Sequence, residues 1–286
     1  LIVPSEETVI KDTVSYCAAA GQHYTIIGTL IDKITQEPIL VNGEPVTKSA
    51  SFVATQNCDV VDITFPAIDT TTIAGHPIVV YETLYKVIPG EPDTLEPVIS
   101  HEDPDDEDQT VYIIDLYTTV KPNEDGTKVF PRDTDITVTD TVHYCLQPGL
   151  EYTVKGIVMD RDTGNGLLVN SNPVEQTATF TPTETCGNFD MAYSFNTTDL
   201  GGARLIIFES LYYNDELLIE HKDINNELEA FEIDINVPET GFVTRNHNGD
   251  QASSHQEFII IAIIATVPVI AYAFNRYRVR KSFLKR

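Results

Sequence analysis

"TDTVHYC" at Thr139–Cys145 repeats "KDTVSYC" at Lys11–Cys17, 128 positions earlier. The same offset relates "GLEYTVKGIVMDR" from Gly149 to "GQHYTIIGTLIDK" from Gly21, and Cys186 to Cys58. "ARLIIFESLYY" from Ala203 follows "HPIVVYETLY" from His76 at an offset of 127, and "HKDINNELEAFEI" from His221 follows "HEDPDDEDQTVYI" from His101 at 120. The order of motifs is kept while loop lengths drift. The period exceeds the roughly 20–50 residues of solenoid repeats, so the pattern predicts two tandem domains, in line with the length prior for 286 residues.

Within each repeat, apolar and polar residues alternate with period two. "TVIKDTVSY", "YTIIGTLI" and "PIVVYETLY" read as strands. "VNGEP", "DTGNG" and "VIPGEPD" supply turn chemistry between them. Thr, Val and Ile are abundant, as suits sheet. Seven or so short strands per repeat predict an all-β chain of two tandem Ig-like β-sandwich domains, residues 1–113 and 114–236. Cys17 and Cys58 are 41 apart, and so are Cys145 and Cys186. Four cysteines allow three pairings; repeat symmetry favours one disulfide per domain. Each would close a loop worth about 4 kcal/mol by the chain-entropy argument. The alternative, metal binding, lacks a close-spaced C-x2-C pair.

Asp and Glu outnumber Lys and Arg 44 to 18, a net charge of −26. Such a polyanion repels nucleic acid and anionic lipid, so no nucleic-acid partner is expected. Leu1 is not Met and no signal peptide opens the chain, so an upstream segment is expected. Residues 258–274, "FIIIAIIATVPVIAYAF", form an uncharged apolar run of 17, the short end of what crosses roughly 30 Å of hydrocarbon. The basic residues of 275–286 predict a cytoplasmic C-terminus behind a transmembrane helix. Ahead of it, Val237, Pro238, Glu239, Thr240 and Gly241 resemble the Leu-Pro-x-Thr-Gly sorting signal of Gram-positive surface proteins, with Val in the first place and a long spacer to residue 257. The resemblance implies cleavage between Thr240 and Gly241 by a sortase and transfer to an amine of cell-wall peptidoglycan or of a pilin.

A second resemblance spans nearly all of residues 6–234. "TVTDTVHY", "PGLEYTVKGIVMDRDTG", "FTPTETCG", "LIIFESLYY" and "EHKD" together are similar to the VaFE, or Thr–Gln ester-crosslink, repeat domains of Gram-positive adhesins. In that family a first-strand Thr attacks a Gln side-chain amide on the last strand, ammonia leaves and an intramolecular ester remains, promoted by an Asp, a Glu and a His. The resemblance implies Thr118 as nucleophile in "LYTTV", with Thr119 as the alternative, and Asp140, Glu209 and His221 as promoters. The acceptor position falls on Glu229. In the first domain Asp12, Glu82, His101 and Gln109 match, and the Thr and its strand would lie about ten residues before Leu1.

Elementary chemistry agrees with that assignment. A Thr hydroxyl attacks only when a base takes its proton. A buried carboxyl of raised pKa can protonate a leaving amide nitrogen. Neighbouring strands supply the effective molarity. Glu229, if ionised, is a far poorer electrophile than an amide, so no spontaneous ester is expected in the second domain. Each residue has a plainer alternative: solvent-facing strand Glu, backbone-capping Asp, His in an acidic surface loop. The acidic loop His101–Asp108 could bind Ca2+, although it lacks EF-hand spacing; no cofactor is otherwise expected. The expected function is the structural stalk of a wall-anchored, extracellular adhesin or pilus-like protein whose ligand is bound by upstream domains. The alternatives are a ligand-binding module or, with no turnover motif to support it, an extracellular enzyme.

Overall fold

A computed structural model describes residues 1–235, apart from the side chains of Pro92 and Asp93. The sorting motif Val237–Gly241, the spacer, the apolar run and the basic tail lie outside the described residues. Among the described residues no helix is long and apolar enough to cross a membrane; one 3-10 turn, Thr71–Ile73, is the helical element there.

The second repeat is two sheets sharing one core. A three-stranded antiparallel sheet runs in the order Asp115–Val120, Asp135–Cys145, Cys186–Asn196. The facing sheet runs Val129–Phe130, Ala230–Ile233, Arg204–Tyr213, Tyr152–Asp160, Glu175–Phe180, with Glu216–His221 also paired to Arg204–Tyr213. Period-two alternation decides what points inward. Val138, Val142, Met191 and Tyr193 from one sheet meet Tyr152, Val154, Leu205 and Ile207 from the other in a single buried cluster. Such a two-layer arrangement hides one face of each sheet, which is why each strand reads as half apolar.

The first repeat follows the same plan with one strand fewer. Lys11–Cys17 pairs with Cys58–Thr64 in a sheet of two, while Pro77–Ile88, His23–Asp32 and Thr47–Val53 build the partner sheet. Residues before Lys11 do not occupy the vacant edge. Ile2 bridges Ile113 in parallel and Thr8 bridges Ile68, just as Phe130 pairs in parallel with Ile233 in the second repeat. Ile113 and Ile114 are both buried at the joint between repeats, and at Gly75, φ +83°, an added Cβ would meet the Cys145 side chain at 3.2 Å. Both disulfides, Cys17–Cys58 and Cys145–Cys186, link residues directly opposite one another on adjacent strands of the smaller sheet.

Candidate functional site

In the second repeat the strand Asp115–Val120 pairs residue for residue with Asp135–Cys145, Thr118 opposite Val142 and Val120 opposite Asp140. Alternation then sends Thr118 inward and Thr119 outward, where the Thr119 hydroxyl is 3.4 Å from His143 Nε2. The Thr118 side chain is fully buried, as are Asp140, Glu209 and Glu229. Its Oγ1 lies 2.9 Å from Glu209 Oε2 and 2.9 Å from Glu229 Oε1. His221 stands directly opposite Glu209 on the neighbouring strand, and its Nδ1 contacts Glu229 Oε1. The backbone closes the same gap: Val120 N donates to Leu228 O at 2.9 Å, and Lys128 Nζ donates to Leu228 O at 2.6 Å. Thr118, Asp140, Glu209, His221 and Glu229, dispersed over more than a hundred positions, therefore converge.

One hydroxyl proton cannot serve two carboxylates at once. Thr118 donates to one; the other contact is a hydrogen bond when that carboxyl carries its own proton. Burial, together with Asp140 and Glu229, holds the Glu209 carboxyl well above the ordinary range. Asp140 is pushed up to about 6, chiefly by burial. His221 is raised by its hydrogen bond to Glu229. The Thr118 hydroxyl is thus held between two carboxyls, Glu209 and Glu229, and Glu229 is also in contact with His221.

The capping alternative for the two aspartates does not hold. Asp140 sits in a strand interior with its carboxyl against Glu209 and takes no backbone N–H; Asp12 is likewise the second residue of a strand, with its carboxyl against Glu82. The solvent-facing alternative for the glutamates fails too, since Glu82 is 4% exposed and Glu209 0%.

In the first repeat Gln109 Nε2 donates to Glu82 Oε2 at 2.8 Å. His101 Nδ1 is 3.8 Å from the same oxygen, and its Nε2 is 3.2 Å from Asp106 Oδ2. Glu82 is pushed up to about 8 by burial and by Asp12. The carbonyl Oε1 of Gln109 has no partner. Where the second repeat has Asp115–Val120, the first has a cavity of about 530 Å³ lined by Asp12, Val14, Glu82, His101 and Gln109 among others. Burial differs between the repeats: Thr141 is buried and its counterpart Thr13 is exposed, and the His101 side chain is 49% exposed against 23% for His221.

Sequence reasoning passed over Tyr193. Its ring sits where a side chain at Gly156 would be: a Cβ there would meet the Tyr193 hydroxyl at 1.8 Å. Gly156 pairs with Glu209, so the phenol is delivered to the carboxylates, and burial with Glu209, Asp140 and Glu229 raises its pKa. The first repeat has Phe65 over Gly28, which pairs with Glu82. A glycine inside each strand, opposite the glutamate, was the available signal of close approach.

The acidic loop His101–Asp108 shows no convergence on a cation; among the described residues the side chains whose ligating atoms come within 4.8 Å of one another are Glu209, His221 and Glu229.

No curated protein matches the chain. Among solved structures it is similar to an adhesin from Mobiluncus mulieris containing intramolecular disulfide, isopeptide and ester bond cross-links, at 16% identity and TM-score 0.32, over 72% of this chain and 73% of that one. It is similar also to a glycosyl hydrolase family 2 member from Bacteroides cellulosilyticus, at 10% identity and TM-score 0.31, over 74% of this chain and 27% of that one. Residues 1–113 and 114–228 each match the family described as T-Q ester bond containing domain. The chain belongs to that family.

Proposed function

We propose that the two repeats are stalk domains of a wall-anchored surface adhesin or pilus-like protein, built to stay closed under load. The observation that carries this reading is the approach of Thr118 Oγ1 to Glu229 Oε1 at 2.9 Å across 111 residues. A tie there joins the first strand of a sandwich to the segment leading into its last. A domain pulled from its ends unzips at those strands, so a bond between them bears the load. The family membership supports the same reading, as do the two disulfides. Reactive groups that meet only once, inside one chain, suit self-modification and not turnover.

In this reading Gln109 is the ester acceptor of the first repeat, with Asp12, Glu82 and His101 around it. Thr118 is the nucleophile of the second, with Asp140, Glu209 and His221, and the sandwiches are of the Ig-like class. Val237–Gly241 is the sortase site, the apolar run a membrane anchor before sorting, and the head that binds a host or cell-surface ligand lies upstream. Cell fractionation tests the placement. Recovery in wall digests, with the chain ending at Thr240 on a wall or pilin amine, is expected; recovery only in cytosol overturns it.

A further inference from the structure

The second repeat departs from the first at two buried positions of the same site. Gln109 becomes Glu229, and Phe65 becomes Tyr193. Both changes bring oxygen into one pocket. Glu229 is fully buried, and its Oε2 has no hydrogen-bond partner. The Tyr193 hydroxyl is also buried without a partner, beside Glu209 and Asp140, whose carboxyls hydrogen-bond each other. Orphaned buried oxygens are costly, and a carboxylate more than most. Among the described residues no Lys or Arg donates a hydrogen bond to them: His221 meets Glu229, and Lys128 Nζ donates to the carbonyls of Glu227 and Leu228.

We propose that Glu209, His221 and Glu229 bind one divalent cation of the zinc class, with the Thr118 hydroxyl as fourth donor and Asp140 and Tyr193 behind the ligands. One imidazole and two carboxylates form a donor set suited to Zn2+ and unlike the all-oxygen cages of Ca2+. Their ligating atoms lie within 4.8 Å of one another, so small side-chain adjustments bring them to the roughly 2.0–2.2 Å of zinc bonds. His221, 23% exposed, is the rim through which the ion enters. The ligands come from strand Arg204–Tyr213, from the end of strand Glu216–His221 and from the residue before Ala230–Ile233, and Thr118 comes from the first strand. A cation here ties the same two ends of the sandwich that an ester would tie. The first repeat, with a neutral carboxamide at Gln109 and no hydroxyl at Phe65, lacks the set. The inference rests on the site and not on the adhesive role, so a stalk without zinc leaves the proposed function standing.

The full chain, stripped with EDTA, is titrated with ZnCl2 and, in parallel, CaCl2. Native mass spectrometry counts bound metal, and thermal melts run with and without EDTA. Expected are one zinc per chain, a melting temperature that zinc raises and EDTA lowers, and loss of that zinc in Glu229→Gln and in His221→Ala. His101→Ala, in the first repeat, keeps it. A folded chain that takes up no zinc overturns the proposal, as does zinc retained by both site variants. So does a native chain about 18 Da light, roughly one water, with Thr118 and Glu229 joined as an ester, because that bond consumes two of the four donors.

Discussion

The hydroxyl of Thr118 and the carboxylate of Glu229 lie 2.9 Å apart, with no solvent exposure on either side chain. Glu209 is at the same distance on the other flank. Thr118 and Glu229, the proposed nucleophile and acceptor position, are therefore in reach, and the side-chain carboxyl is what differs from a Thr–Gln pair. An ionised carboxylate resists attack because the nucleophile must add to an anion. A carboxamide in that place carries no charge and releases ammonia.

Glu229→Gln is expected to let the second repeat form its cross-link. Intact mass should fall by about 17 Da, the mass of ammonia, and digestion should release a branched peptide joining Thr118 to the substituted side chain. Thr118→Ala in the same background should abolish the loss. An unchanged mass in the single variant would show that the promoters are not competent.

Placing a copy of residues 114–128 ahead of Leu1 should complete the first repeat. In register, residue 129 corresponds to Leu1, so the copy puts a Thr beside Gln109. The added strand should pair with Lys11–Cys17, fill the cavity of about 530 Å³ and slow hydrogen exchange at Thr13 and Ser15. Loss of ammonia from Gln109 should follow, read by mass. A strand that stays exchange-labile would contradict the pairing.

Stability should fall as pH rises from acid to mildly alkaline. Glu82 moves from 4.5 unfolded to about 8 folded, and Asp140 from 3.8 to about 6. The native state thus holds protons that the unfolded chain releases. The contribution is full below the unfolded values and is lost through about 3.8–6 for Asp140 and 4.5–8 for Glu82. His221, raised as a base, has the same sign, its stabilisation fading as pH climbs through its folded value. Melting temperatures measured from about pH 5 to 8 should decline, and less so in a Glu82→Gln variant. An equal decline in that variant would show that Glu82 makes no contribution to the pH dependence.

Gly156→Ala should destabilise the second repeat by about 1–3 kcal/mol, the usual cost of overpacking, because the new Cβ meets the Tyr193 hydroxyl at 1.8 Å. Adding Tyr193→Phe should recover part of the loss, since the remaining contact resembles Phe65 over Gly28, at 2.9 Å. Urea denaturation of the two variants measures both. Equal stability of Gly156→Ala and the parent would remove Tyr193 from its assigned place.

The repeat itself was legible without coordinates. Motifs such as "TDTV" and "YETLY" recur because each half must place the same residues on the same strands. Alternation named the strands because a half-buried sheet demands it. The site residues came from the resemblance to Thr–Gln ester-crosslink domains, and their recurrence in both copies agrees with it. Tyr193 escaped notice, since its role is set by a glycine on a facing strand, and sequence carries no record of which strands face.

What the sequence determined by itself is two copies and the residues that recur in them, with Gln109 in one where the other has Glu229. Tertiary structure decided which of two adjacent threonines faces the buried carboxyls, because the register of Asp115–Val120 against Asp135–Cys145 turns Thr118 inward and Thr119 outward. It decided too that the carboxyls lie in one dry pocket and not on a wet face. Ionisation, pairing and reactivity depend on distance and on exclusion of water, and both are properties of packed sheets, not of a linear string.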